Sequence, residues 1–141
     1  ETWNLGGLSS SSVYSNQIYG YERGTTVYSG RPTTWIGKIG LMYPSDYGYA
    51  VDLSQCTKQL GSYNDSTCTS NDWLFSSSGQ WTLTSWSDYA GNLFIVYSDG
   101  HLTSMGVRNS PLDIYPVLFL NSDIVLDSGD GSSTSPYQLA V

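Results

Sequence analysis

The stretch QWTLTSWSDYAGNLFIVYSDGHLTSM, residues 80–105, decides the fold class. Gln80–Thr84 reads as a strand, SDYAG as a polar loop, Asn92–Tyr97 as a second strand and His101–Met105 as a third after a tight turn. The turn, Ser98-Asp99-Gly100, admits two registers. A two-residue Asp-Gly turn pairs Ser98 with His101 and sets Leu102 opposite Tyr97. A three-residue turn with Gly100 in the left-handed region pairs Tyr97 with His101 and gathers Phe94, Val96 and Leu102 on one face. The second register is preferred, because a slip of one residue would break up that apolar face. It leaves Ile95, Tyr97, His101, Thr103 and Met105 on the opposite, mixed face. Trp81 and Leu83 complete the framework set, and Trp73 joins Trp81 as a core residue. Trp86 differs, because Ser85, Ser87 and Asp88 surround it. It is either a flap over the core or a ligand contact, since aromatics set among polar loop residues are enriched at recognition surfaces.

Working outward, Trp73–Phe75, Tyr115–Asn121, Asp123–Leu126 and Tyr137–Val141 are further strand candidates, separated by turn-forming runs such as SSSG, RNSP and SGDGSS. Upstream, Trp35–Met42 alternates as a strand. Residues 1–34 are Gly/Ser-rich, with short β-prone pieces at Ser12–Tyr14 and Thr26–Tyr28 and one short helix expected at Ser15–Tyr21. Pro44–Leu53 has room for one helical turn. The 141 residues fit a single domain, 1–141, long enough to stabilise itself by burial. Tyr is the commonest aromatic, 12 against 5 Trp and 3 Phe, and suits half-buried sheet positions and contact surfaces alike. The dearth of strong helix formers favours a β-rich fold.

A net charge of −7 with scattered Arg23, Arg31, Lys38, Lys58 and Arg108 argues against nucleic acid and against docking on an anionic membrane. Cys56 and Cys68 close a loop of Ser, Asn, Asp, Thr and Gly. A disulfide is the preferred reading and two free thiols the alternative. The bond would be worth about 3 kcal/mol in the chain-entropy model and would imply an extracytoplasmic location. With neither a second Cys pair nor a His nearby, a metal site there is not expected. No signal peptide and no bilayer-length apolar run stands in the sequence.

No enzyme signature is found, so the chain is read as non-catalytic and without a cofactor. The single histidine, His101, sits beside a turn with no nucleophile motif to serve. Glu1 and Glu22 make no glycosidase pair, and such a pair would have to come from the Asp residues. DSGDG at 127–131 resembles a calcium loop but lacks the third-position ligand and the acid at the twelfth, so a glycine turn is preferred. Asn64-Asp65-Ser66 fits a glycosylation sequon, relevant only in a eukaryotic secretory route.

Taken together, WIGKIGLMYPSDYGYAVD, the Cys pair before NDWLF, the stretch from residue 80 and the ending YPVLFLNSDIVLDSGDGSSTSPYQL resemble the C-terminal ectodomain of type IV pilin-like surface proteins of Gram-positive gut bacteria. ETWNLGG and YERGTTVYSGRPTTW fit as well, so the resemblance spans essentially the whole chain. The second half also resembles the C-type-lectin-like fold as seen in variable proteins of diversity-generating retroelements. That resemblance implies an α+β, β-rich fold with antiparallel strands, one or two short helices and one disulfide. It matches Trp81 to the Trp strand and Phe94, Val96 and Leu102 to the framework. It places Trp86, Ser87, Asp88, Tyr89, Asn92, Ile95, Tyr97, His101, Thr103, Met105, Arg108 and Asn109 in the ligand-bearing region. Two departures stand out: Tyr115 replaces the usual Arg before Pro116, and the apolar anchoring helix of full pilins is not among these residues. The calcium and sugar motifs of true C-type lectins are absent, so the likeness names a fold and no sugar specificity.

The expectation is therefore an extracellular, cell-surface, adhesin-like headgroup whose partner is a protein or glycan on another cell or a host surface. A structural pilin subunit, packing along a filament with other subunits and no ligand of its own, is the alternative. A carbohydrate-active enzyme or calcium lectin is the third.

Overall fold

Gly100 sets the hairpin that organises the domain. Its φ of +99° is the backbone conformation that a three-residue turn needs, and Tyr97 and His101 close the turn. Tyr97 N–H donates to the His101 carbonyl at 2.9 Å, and Gly100 N–H donates to the Tyr97 carbonyl at 2.9 Å. A side chain at Gly100 would also run into Thr69 Cγ2, 2.6 Å from where its Cβ would stand. The Tyr47 hydroxyl donates to the Gly100 carbonyl at 2.8 Å, so the tip is fastened to the rest of the fold.

The computed structural model describes residues 1–108, 111–131 and 134–140. Within them the chain forms β1 (Thr2–Asn4), α1 (Ser15–Glu22), β2 (Thr34–Ile36), β3 (Gly40–Leu41), α2 (Pro44–Ala50), a 3-10 turn (Leu60–Ser62) and α3 (Ser66–Thr69). There follow β4 (Gln80–Ser85), β5 (Asn92–Val96), β6 (Leu102–Gly106), β7 (Pro116–Val117), β8 (Val125–Ser128) and β9 (Gln138–Ala140). The result is a small α+β domain of mostly antiparallel pairings, with few short helices and one disulfide, Cys56–Cys68. The central sheet has the order β4-β5-β6, flanked by three two-stranded pairs, β1-β2, β3-β7 and β8-β9. Among the described residues no helix is long and apolar enough to cross a membrane.

The core lies between one face of the central sheet and the helical half of the chain. Phe94, Val96 and Leu102 pack with Ile18, Met42, Tyr47, Val51, Leu60 and Tyr63, and the buried disulfide belongs to the same cluster. In α1 the buried positions are Ser15, Ile18 and Glu22, the spacing of one helix face. Each of the two longer helices starts with a side chain reaching back. Gln17 Oε1 accepts the Tyr14 N–H at 2.9 Å, and Asp46 Oδ2 accepts the Tyr43 N–H at 2.8 Å, with Pro44 at the first helical position of α2.

The register of β5 and β6 is the expected one: Val96 faces Leu102, Phe94 faces Ser104 and Ile95 faces Thr103. The phase of β4 is reversed relative to expectation. Gln80, Thr82 and Thr84 point to the core, while Trp81 and Leu83 are only half-buried on the far face. Hydrogen bonds to backbone carbonyls make that burial tolerable for two of the three: Thr82 Oγ1 donates to Phe94 at 2.7 Å and Gln80 Nε2 to Leu74 at 2.7 Å. Trp73 is not core either, being 78% exposed. Asp72 turns the chain there, its Oδ1 accepting the Leu74 N–H at 2.9 Å, so Trp73–Phe75 forms no strand and Trp73 is thrown outward.

Other elements differ in extent. The strand expected over Trp35–Met42 breaks at Gly37 into β2 and β3, which pair with different partners. Ser12–Tyr14 and Thr26–Tyr28 are not strands, and of Tyr115–Asn121 only Pro116–Val117 pairs. The C-terminal candidates condense to the β8-β9 hairpin, with Val141 outside the described residues.

Candidate functional site

β4 ends at Ser85, and the polar run that follows folds into a closed loop. Trp86 N–H donates to the Asn92 carbonyl at 3.0 Å, and Asn92 N–H donates to that of Tyr89 at 3.2 Å. On the outer side the N-terminal segment braces the loop, because Ser87 N–H donates to the Leu8 carbonyl at 3.0 Å and Leu8 bridges Trp86. This close passage requires glycine at position 7, where a Cβ would stand 2.1 Å from the Ser85 carbonyl oxygen. From the other side Arg31 Nη2 donates to the Ala90 carbonyl at 3.0 Å.

Between the loop and residues 28–32 lies a groove of about 280 Å³. Trp86, Tyr89 and Asn92 line it from the loop side, Tyr28, Arg31 and Pro32 from the opposite side, and Leu83, Leu93 and Val107 below. A shallower extension runs on over Gly91 and Gly106 to Arg108. Tyr89 is 64% exposed, while Trp86 lies half-buried with its ring centroid 5.1 Å from that of Phe94. Trp86 is thus a flap over the core that also forms a wall of the groove.

Of the sequence-predicted site residues, the groove and its extension gather Trp86, Tyr89, Asn92 and Arg108. Ser87 and Asp88 sit on the loop but line no part of the groove, and Ser87 Oγ donates to Asp88 Oδ1 at 3.3 Å. Tyr97 and His101 lie at the opposite end of the hairpin, where their rings meet at 5.4 Å and His101 Nδ1 pairs with Asp99 at 2.5 Å. Five residue steps of strand separate Asn92 from Tyr97, roughly 17 Å at strand rise, so the two groups form no single surface patch. Between them, Thr103 and Met105 are half-buried, and Ile95 is fully buried between its cross-strand neighbours Trp81 and Thr103. Ile95 is therefore removed from the contact set: the second face of the hairpin is covered at its centre. Asn109 lies outside the described residues.

Sequence reasoning missed Tyr28, Arg31 and Pro32. The only local sign was an arginine held between Gly30 and Pro32 in a chain poor in basic residues.

Two acids are pushed up by burial, and neither lines the groove. Burial pushes the Glu22 carboxyl up to about 7, against the Ser45 hydrogen bonds and the Arg23 guanidinium that favour its charge. Its Oε1 accepts the Ser45 N–H at 2.9 Å, its Oε2 the Ser45 hydroxyl at 2.5 Å and Arg23 Nη1 at 3.1 Å. Burial likewise raises Asp72 to about 6. A second, apolar groove of about 670 Å³ lies between Trp3, Tyr43, Tyr49, Trp73 and the segment 115–119. No group of acids, histidines or cysteines suited to a metal ion occurs among the described residues.

Comparison with protein-family models, with curated proteins and with solved structures gives no match.

Proposed function

We propose that this domain is a non-catalytic, extracellular, adhesin-like binding headgroup with a C-type-lectin-like arrangement, displayed on a pilus-like or other cell-surface protein. Its contact surface is the groove between residues 28–32 and the Trp86–Asn92 loop. The observation that carries the reading is the convergence of Tyr28, Tyr89, Trp86, Asn92 and Arg31 on one concavity whose loop is braced from two sides. Rigid aromatic side chains on a pinned loop bind with little loss of conformational entropy. The buried disulfide beneath the sheet supports an extracytoplasmic setting. Neither of the two acids with raised proton affinity lines the groove.

Tyr89→Ala removes exposed ring surface and no core contact. It is expected to lower retention on a glycan and cell-surface protein array at least about tenfold, with the melting temperature within about a degree of wild type, as for a surface substitution. Trp86→Ala loses binding too, with an added destabilisation of about 1–3 kcal/mol because Trp86 also packs on Phe94. Unchanged retention by Tyr89→Ala would remove the groove as the contact surface.

A second reading, a structural subunit that packs along a filament, is favoured by one observation. Trp73, Leu118, Phe119 and Leu120 are largely exposed beside the second groove or on its rim, and β8 is exposed along its whole length. Apolar surface of that extent marks packing against another chain. Electron microscopy of the displaying cells separates the readings: filaments that form without any ligand and are lost in Phe119→Asp support the structural role.

A further inference from the structure

Resting on the binding reading above, we propose that the groove takes a carboxylate-bearing sugar unit of an acidic polysaccharide. The chain carries 12 acidic side chains and 5 basic ones, so most of its surface repels an anion. The groove is the exception. Arg31 stands in its wall and Arg108 at the end of its extension, and no acidic side chain lines either part. Of the other three arginine and lysine side chains, Arg23 is paired with Glu22 and lies 3.5 Å over the Tyr19 ring, Lys58 is paired with Asp65, and Lys38, without such a pair, lines neither part of the groove. Among the described residues Arg31 and Arg108 have no such carboxylate partner. Arg31 spends one donor on the Ala90 carbonyl, which fixes its fork while leaving the remaining donors of the guanidinium for a ligand. A planar fork of this kind matches a carboxylate bidentately.

The rest of the lining selects a sugar over a peptide. Trp86, Tyr89 and Tyr28 offer flat apolar faces to the C–H face of a pyranose ring, and the Asn92 amide can serve its hydroxyls. Ser85 closes β4, Asn92 opens β5 and Gly106 closes β6, so the groove lies across the ends of the central sheet. A peptide that binds by strand addition needs a length of free edge to run along, and the groove meets the edge strands β4 and β6 only toward their ends. The part walled by Arg31 holds about 280 Å³, room for one or two rings, and the extension toward Arg108, of about 620 Å³, leaves room for further units of a chain.

The test is isothermal titration with trigalacturonate and a hyaluronan tetrasaccharide, their methyl-esterified counterparts, and tetraglutamate. At least one uronate should bind, and Arg31→Gln or Arg108→Gln should weaken it about tenfold or more, the worth of a charge-assisted hydrogen bond. Its ester should bind weakly and be indifferent to both substitutions. Lys38→Gln removes the same charge elsewhere and should leave uronate binding unchanged. Esters that bind as tightly as the acids would overturn the acidic-ligand inference while the groove stays a sugar site. Tetraglutamate binding in place of the uronates would overturn it in favour of an acidic peptide. If every probe fails while the Tyr89-dependent retention persists, the inference falls and the binding reading stands; if that retention is also absent, both fall.

Discussion

Phe94→Ala is expected to lower the unfolding free energy by about 3–5 kcal/mol, the usual cost of emptying a buried aromatic site. Phe94 is completely buried in the middle strand of the central sheet, so neighbours on both sides hold the backbone against collapse into the cavity. It packs with the core cluster on its own face and with the Trp86 ring at 5.1 Å, and its carbonyl accepts the buried Thr82 hydroxyl at 2.7 Å. A chain of this size has a total stability of about 5–15 kcal/mol, so the substitution consumes a large share of it. Chemical denaturation followed by Trp fluorescence measures the loss. Because Trp86 rests on this ring, the groove should loosen as well, and binding should fall even at temperatures where the variant remains folded. Phe94→Leu keeps most of the volume and should recover more than half of the loss. A cost below about 1 kcal/mol for the alanine variant would show that the site collapses and that Phe94 is not the keystone of the sheet.

The hairpin was readable from sequence because one residue dictates it. Gly100 has no Cβ to oppose a positive φ, and the three-residue turn then places Phe94, Val96 and Leu102 together without appeal to the rest of the chain. β4 was not readable in the same way. Its inward residues are Gln80, Thr82 and Thr84, and what makes two of them acceptable inside are carbonyls of Leu74 and Phe94 that no periodicity reveals. Trp73 misled for a local reason: apolar neighbours suggested a strand, while the Asp72 side chain bonded to Leu74 N–H had already turned the chain. The groove was half legible. An aromatic and polar loop after a strand marks a candidate contact surface, but its opposite wall comes from Arg31, 59 residues from the carbonyl it holds. Ile95 shows the converse error, since alternation assigns a face but cannot say whether that face is covered.

Stability should decline as pH rises from about 4.5 to about 7, with Glu22 alone responsible for about 3 kcal/mol of the fall. The folded state holds the Glu22 proton more tightly than the unfolded state, whose carboxyl titrates near 4.5. Below that pH both states are protonated and the group is neutral in its effect. As pH rises the unfolded chain ionises first, which favours unfolding, and the penalty is complete once the folded carboxyl has ionised near 7. Asp72 acts with the same sign over its own window, from 3.8 to about 6. Asp65 acts with the opposite sign: the Thr67 hydroxyl and N–H and the Lys58 ammonium hold it down at about 2, so its contribution is lost only below 3.8. Asp65's window is separate from the other two, Asp72's overlaps the lower part of Glu22's, and above about 6 the remaining fall is chiefly Glu22's. Glu22→Gln keeps an oxygen for the Ser45 N–H but cannot ionise, so its urea midpoint should drop much less between pH 5.5 and 8 than the wild-type midpoint, the residual drop being that of Asp72. Glu22→Ala should be destabilised at both values, because the Ser45 N–H and hydroxyl at the start of α2 then lose their acceptor in a buried place. A wild-type midpoint that rises across this interval would mean that Ser45 and Arg23 outweigh burial. Glu22 would then be a stabilising charged link between α1 and α2, and Glu22→Gln would be the less stable protein at pH 8.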